Sequence, residues 1–123
     1  MIDSDLIYQF IRFYYSGFNE KRADLADIYG DDSKLIWEGT RVVGKAAIIE
    51  KLTSLPYKFK HKINKTDIHS MDNNNLTIVI TGLLLIDDDT TPLHFSQVFI
   101  LEQIEHSFRV QYEVFRLHYG GDV

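Results

Sequence analysis

This chain of 123 residues predicts an α+β fold, with helices first and an antiparallel sheet after them. Apolar residues recur at helical spacing only up to Pro56, whereas everything from Lys58 onward reads as extended runs separated by turn-forming residues. No helical pattern falls between those last runs, so the crossover helices that a parallel sheet requires have no sequence to form them.

Ile7, Phe10, Ile11, Tyr14 and Phe18, spaced by three and four, predict an amphipathic helix from about Ser4 to Phe18, capped by Asp3 or Ser4. A shorter second helix presents Leu25, Ile28 and Tyr29 and ends at Gly30, with a turn at Asp31 and Asp32. The stretch SKLIWEGTRVVG predicts two short strands around Glu38 and Gly39. KAAIIEKLTSL then predicts a third helix, closed by Pro56. Four strands follow, over about 58–69, 76–86, 93–105 and 108–118, separated by the turn-forming runs SMDNNN, DDDTTP and EHS. No repeat, linker or low-complexity segment interrupts the pattern, and residues 1–123 are expected to form one domain.

The composition sets limits on function. There is no cysteine, hence no disulfide framework or thiolate metal site, which suits the cytosol or nucleus. The N-terminal residues lack a basic leader, and no apolar run approaches the length of a membrane span, so a soluble protein without a membrane partner is expected. A formal charge of −5 argues against a nucleic-acid binder, which needs an excess of Lys and Arg to neutralise phosphates. Lys58, Lys60, Lys62 and Lys65 are a local exception. They alternate with Phe59, His61 and Ile63, as the wet face of one strand would.

Two stretches hint at nucleotide or metal chemistry. Gly39 to Ala46, GTRVVGKA, falls one residue short of the phosphate-loop pattern, and GLLLIDDDTTP sets three aspartates at the end of an apolar strand. The first lacks the hydroxyl that would hold magnesium, is β-branched where backbone amides would wrap a phosphate, and sits on the wrong scaffold for a parallel-sheet enzyme.

Both faces of the predicted sheet are apolar. Leu76, Ile78, Ile80, Leu84 and Ile86 alternate with Val79, Leu83 and Leu85. Phe95, Phe99 and Leu101 alternate with Val98 and Ile100, and Val110, Tyr112 and Val114 are set against Phe115 and Leu117. Three helices cover one face only, so the other predicts an interface, most simply with a second copy of the chain about a two-fold axis.

FYYSGF in the first helix, LIWEG followed by GKAAIIEKLTSLP, and ITGLLLID continuing to HFSQVFIL and VFRLHY together resemble the nuclear transport factor two family, small carriers that return the GTPase Ran to the nucleus. The resemblance runs over nearly the whole chain in one order, with small length changes near Pro56 and around Ser70 to Asn75. It implies a cone-shaped domain, three N-terminal helices packed on a bent, mainly antiparallel sheet, that dimerises through that sheet. It also implies binding of Ran in its GDP state and of Phe-rich nuclear pore repeats, residence in cytoplasm and nucleus with enrichment at nuclear pores, and no cofactor or metal. In the family an aromatic side chain of Ran enters the open end of the cone while acidic groups on the rim pair with basic residues. The matching positions are Trp37, Glu38, His61, Asp87 and Asp89, with Leu55, Phe59, Val98 and Phe115 expected to line the cavity.

Read singly, each of these has a plainer account. Trp37 would be core, Glu38 a turn residue, His61 a satisfied inward-facing histidine, and the aspartates a solubilising turn. The match to one binding rim is what favours recognition. One departure lies at Asp3, where the family usually has an aromatic in the groove for pore repeats; Ile2 and Leu6 are the apolar residues available instead.

The same cone houses small-molecule isomerases and dehydratases, for which Tyr14, Tyr15 and His61 are the candidate groups. The carboxylates placed by the sequence pattern weigh against that reading, because they fall at strand ends or turns rather than inside a pocket. A third reading, heterodimer partner in RNA export, is one that a stable homodimer would disfavour.

Overall fold

The computed structural model describes residues 4–89 and 91–118. It has the predicted α+β cone, with three helices on a six-stranded, bent, mainly antiparallel sheet in the order β2-β1-β6-β5-β4-β3. Only the β1 and β6 pairing is parallel.

Helix α1 (Ser4–Glu20) buries Ile7, Phe10, Ile11, Tyr14, Tyr15 and Phe18. The predicted stripe thus runs to the end of the helix and gains Tyr15. Each large side chain removed from water stabilises the fold by about 1.5–3 kcal/mol, and this stripe is what holds α1 to the sheet. Phe10 and Tyr14 meet Phe99 edge-on, with centroids 5.5 and 4.8 Å apart. The Asp3 and Ile2 positions considered for capping and for the repeat groove lie outside the described residues.

The second helix departs from expectation. Arg22–Ile28 forms a 3-10 helix (α2 here), and strand β1 (Tyr29–Trp37) begins at once, taking in the Gly30, Asp31 and Asp32 expected to turn. Ser33 is the physical reason. Its buried hydroxyl accepts from the Gly30 N–H at 2.9 Å and donates to the Val110 carbonyl, bridging the register shift between Tyr29 and Lys34 where β1 bulges from β6.

At the β1–β2 turn, Glu38 and Gly39 both take positive φ, 49° and 85°, the geometry of a tight two-residue hairpin. Strand β2 is Thr40–Val43, and Gly44, at φ 90°, opens the third helix, α3 (Lys45–Ser54), which buries Ile48 and Leu52. The phosphate-loop look-alike is therefore a hairpin followed by a helix start.

The last four strands are β3 (Phe59–Ser70), β4 (Asn75–Ile86), β5 (Leu93–Ile104) and β6 (Ser107–His118). Leu76, Ile78, Ile80, Leu84, Phe95, Phe99, Leu101 and Phe115 are buried on the helix-covered face, and Val79, Leu83, Leu85, Ile100 and Val114 are half-buried on the other. Two expectations need correcting. A bulge at Gln111 in β6 moves Val110 to the helix face, away from Tyr112 and Val114. Val98, expected to line the cavity, pairs with Val79 and Val114 on the outer face, because in β5 it alternates with the buried Gln97 and Phe99.

Candidate functional site

Trp37, Glu38, Phe59, His61, Asp87 and Phe115 meet at one end of the sheet, where β1 and β6 finish and β3 begins. Register explains it: Trp37 pairs with Phe115, and Phe59 pairs with Ile86, the residue before Asp87. The Trp37 ring stacks on Phe115 with centroids 4.2 Å apart and planes 11° from parallel, and on Phe18 from α1 at 5.6 Å. Phe59 closes the cluster edge-on, 6.5 Å from Trp37 and 5.3 Å from Phe18. Phe59 and Phe115 are thus core rings, and Trp37, only 8% exposed, completes the stack. Leu55 is half-buried beside them, and Tyr57, whose ring lies 6.3 Å from Phe59, is exposed at the mouth.

The acidic residues are anchored in different ways. Glu38 donates its N–H to the Phe115 carbonyl at 3.0 Å, and its Oε1 accepts from the Leu117 N–H. Its carboxylate therefore holds the end of β6 as well as standing at the rim. Asp87, at φ 55°, exchanges two bonds with Lys58: its N–H donates to the Lys58 carbonyl at 2.8 Å and its Oδ1 accepts the Lys58 N–H at 2.8 Å. It fixes the start of β3. Asp88 and Asp89 are exposed on the same turn.

His61 sits among the rings of Tyr15, Phe18 and Phe95, with centroids 4.8, 5.4 and 5.3 Å away. Burial pushes its pKa down to about 3, so the ring is neutral near pH 7. Nδ1 lies 2.7 Å from Asn19 Oδ1, an acceptor, which places the proton on Nδ1. His61 contributes shape to this end of the molecule rather than charge.

Several important residues escape the sequence pattern. Arg22 donates to the carbonyls of Leu55 and Tyr57, at 2.9 and 3.0 Å, and lies over the Phe18 and Phe59 rings at 5.4 and 5.3 Å. It shapes the segment between α3 and β3 that carries Leu55 and Tyr57. Deeper in the cone, Glu113 is 1% exposed and accepts from Tyr14 at 2.5 Å, Gln97 at 2.7 Å and Tyr29 at 2.6 Å; Gln97 accepts in turn from Tyr15 at 2.6 Å. This corrects the expectation that the carboxylates lie only at strand ends and turns. A signal existed: Gln97 falls on the same strand face as Phe95 and Phe99, and Glu113 on the same face as Phe115 and Leu117. Tyr14 and Tyr15, the candidates of the enzyme reading, spend their hydroxyl protons on this network, and Glu113 is fully engaged by its three donors.

The model of the nuclear transport factor 2 (NTF2) domain matches residues 6–117. The nuclear transport factor 2 of Candida glabrata is 41% identical over 118 residues, covering 94% of this chain and 94% of that protein. Among solved structures, Ntf2 from Cryptosporidium parvum has a TM-score of 0.86 at 35% identity, with 94% of each chain covered. Yeast Bre5, the Ubp3-associated protein, has a TM-score of 0.80 at 21% identity, over 98% of this chain and 99% of that one, a likeness of fold alone. The match over nearly the full length shows that the chain belongs to the nuclear transport factor 2 family.

Proposed function

We propose that this protein is a nuclear transport carrier that binds Ran in its GDP state and Phe-rich nuclear pore repeats, working as a homodimer that moves between cytoplasm and nucleus and concentrates at nuclear pores. The relatives that carry the transport-factor name support the transport role, and no catalytic role is assigned. One observation carries the finer reading: Trp37, Glu38, His61 and Asp87, scattered over fifty residues or so of sequence, come to one end of the sheet, with Asp89 on the same turn. Carboxylates there attract a basic partner, and the aromatic cluster behind them offers stacking to an apolar anchor.

Glu38→Gln combined with Asp89→Asn tests the reading. The amide of the first substitution keeps an oxygen for the Leu117 N–H, so charge is removed without releasing the end of β6. Solvated ion pairs are worth about 0.2–1 kcal/mol each. The double variant is therefore expected to bind Ran-GDP roughly two- to thirty-fold more weakly and with a flatter salt dependence, while its melting temperature stays close to wild type. An unchanged affinity and salt slope would place recognition elsewhere on the molecule.

A further inference from the structure

The sheet order leaves β3 at an edge, hydrogen-bonded on one side only, to β4. At 12 residues it is about twice the usual strand length. So long an edge presents a row of N–H and C=O groups to any extended chain that approaches it.

Its side chains are not arranged at random. Lys60 and Lys62 pair with Leu85 and Leu83 on the outer face. Lys65 would fall on the opposite face by simple alternation, but the register shift between Ile63 and Lys65 returns it to the outer face, opposite Thr81. The bulge thus aligns three lysines along one side of the edge, and all three are exposed. The ion pairs among the described residues, Lys21 with Asp24 and Lys45 with Asp27, involve none of them. Asp67 follows them on the same outer face, opposite Val79, so the three lysines leave this stretch of the edge positive on balance in a chain of net charge −5. Beside it lies a shallow cleft of about 250 Å³, walled by Lys60, His61, Lys62, Leu83, Leu85 and Pro92.

We propose that the edge of β3 docks an acidic, extended segment of a partner protein, which adds as a strand beside β3, sets carboxylates against Lys60, Lys62 and Lys65, and places one apolar side chain in the cleft formed by Leu83, Leu85 and Pro92. Charge complementarity selects this occupant. Lysines on an edge discourage neutral or basic strands from pairing, and the same lysines favour an acidic one. Main-chain hydrogen bonds supply affinity to an added strand, and alternate side chains supply selection. Opposite charges on neighbouring strands contribute about 0.2–1 kcal/mol per pair. The cleft adjoins the rim at His61 and the outer face at Leu83 and Leu85, but a strand added along the β3 edge makes main-chain contacts that the carrier reading does not use.

The test uses fluorescence anisotropy at low salt with a labelled peptide about as long as β3, alternating Glu and Thr around a single central Leu. The same peptide with Lys for Glu and a single-stranded oligouridine are the comparisons. The acidic peptide is expected to bind with an affinity that falls as salt rises, and the other two are not. Lys60→Glu with Lys62→Glu is expected to weaken binding at least tenfold without shifting the melting temperature, since both side chains are exposed. Hydrogen exchange on the wild type keeps the test decisive if that variant misfolds: peptide must slow exchange over residues 59–70. The proposal is overturned by no peptide binding, by binding that survives the charge reversals, by oligouridine binding equally well, by exchange protection away from β3, or by higher oligomers that form through this edge without peptide.

Discussion

Glu113 illustrates how one residue ties composition to stability. Burial pushes its carboxyl pKa above the ordinary value of 4.5, and the bonds from Tyr14, Tyr29 and Gln97 offset part of that rise. A carboxyl with a higher pKa folded than unfolded favours the folded state while it is protonated. Its contribution is fully present below the ordinary carboxylate range and is lost as pH rises through the folded value, because the unfolded chain gives up the proton more readily. Glu113→Gln is therefore expected to flatten the fall in melting temperature as pH rises above the ordinary carboxylate range, relative to wild type, as followed by circular dichroism. Glu113→Ala leaves the Tyr14, Tyr29 and Gln97 donors without an acceptor, at about 1–3 kcal/mol per orphaned group, and is expected to be much the less stable. An unchanged pH slope in the Gln variant would mean that Glu113 does not control it. At this scale the sequence is only partly legible. Glu38 can be located because a hairpin needs a turn there, and Trp37 because it precedes that turn. Arg22 cannot, since its carbonyl partners at Leu55 and Tyr57 are more than thirty residues away.

Elements were more legible than residues where periodicity spoke, and less so where tertiary contacts overrode it. α1, α3 and β3 to β6 follow from apolar spacing, with ends within a residue or two of expectation. Gly30 to Asp32 look like a turn because their residue types favour turns, yet Ser33 and the Tyr29 hydroxyl hold them in β1 through partners on β6. The Gln111 bulge is equally silent in the sequence, and it decides which side of β6 faces the helices. The outer face bears directly on assembly: Val79, Val98 and Val114 pair across β4, β5 and β6 and are half-buried in a single chain. A contiguous apolar face of this kind is characteristic of an interface. Sedimentation of the wild type is expected to give twice the chain mass at micromolar concentration, and Val98→Asp is expected to shift the species to monomer with its helical and sheet signal retained. A monomeric wild type, or a Val98→Asp dimer as stable as wild type, would remove the sheet face from the assembly.

At the scale of the whole molecule, the cone separates two roles. The helix-covered face is a dense core, from the Phe10, Tyr14 and Phe99 contacts at one level to the Phe18, Trp37 and Phe115 stack at the sheet's end. Charge is displaced to the edges: aspartates follow β4, and lysines line β3. On the proposed reading, recognition falls to a rim whose aromatic backing is already assembled, so binding would need little ordering of the protein itself. Calorimetric titration of the wild-type protein with Ran loaded with GDP, and separately with a non-hydrolysable GTP analogue, bears most directly on this account. It predicts saturable binding to the GDP form and none to the GTP form under the same conditions. Equal binding to both forms, or no binding to the GDP form, would contradict it.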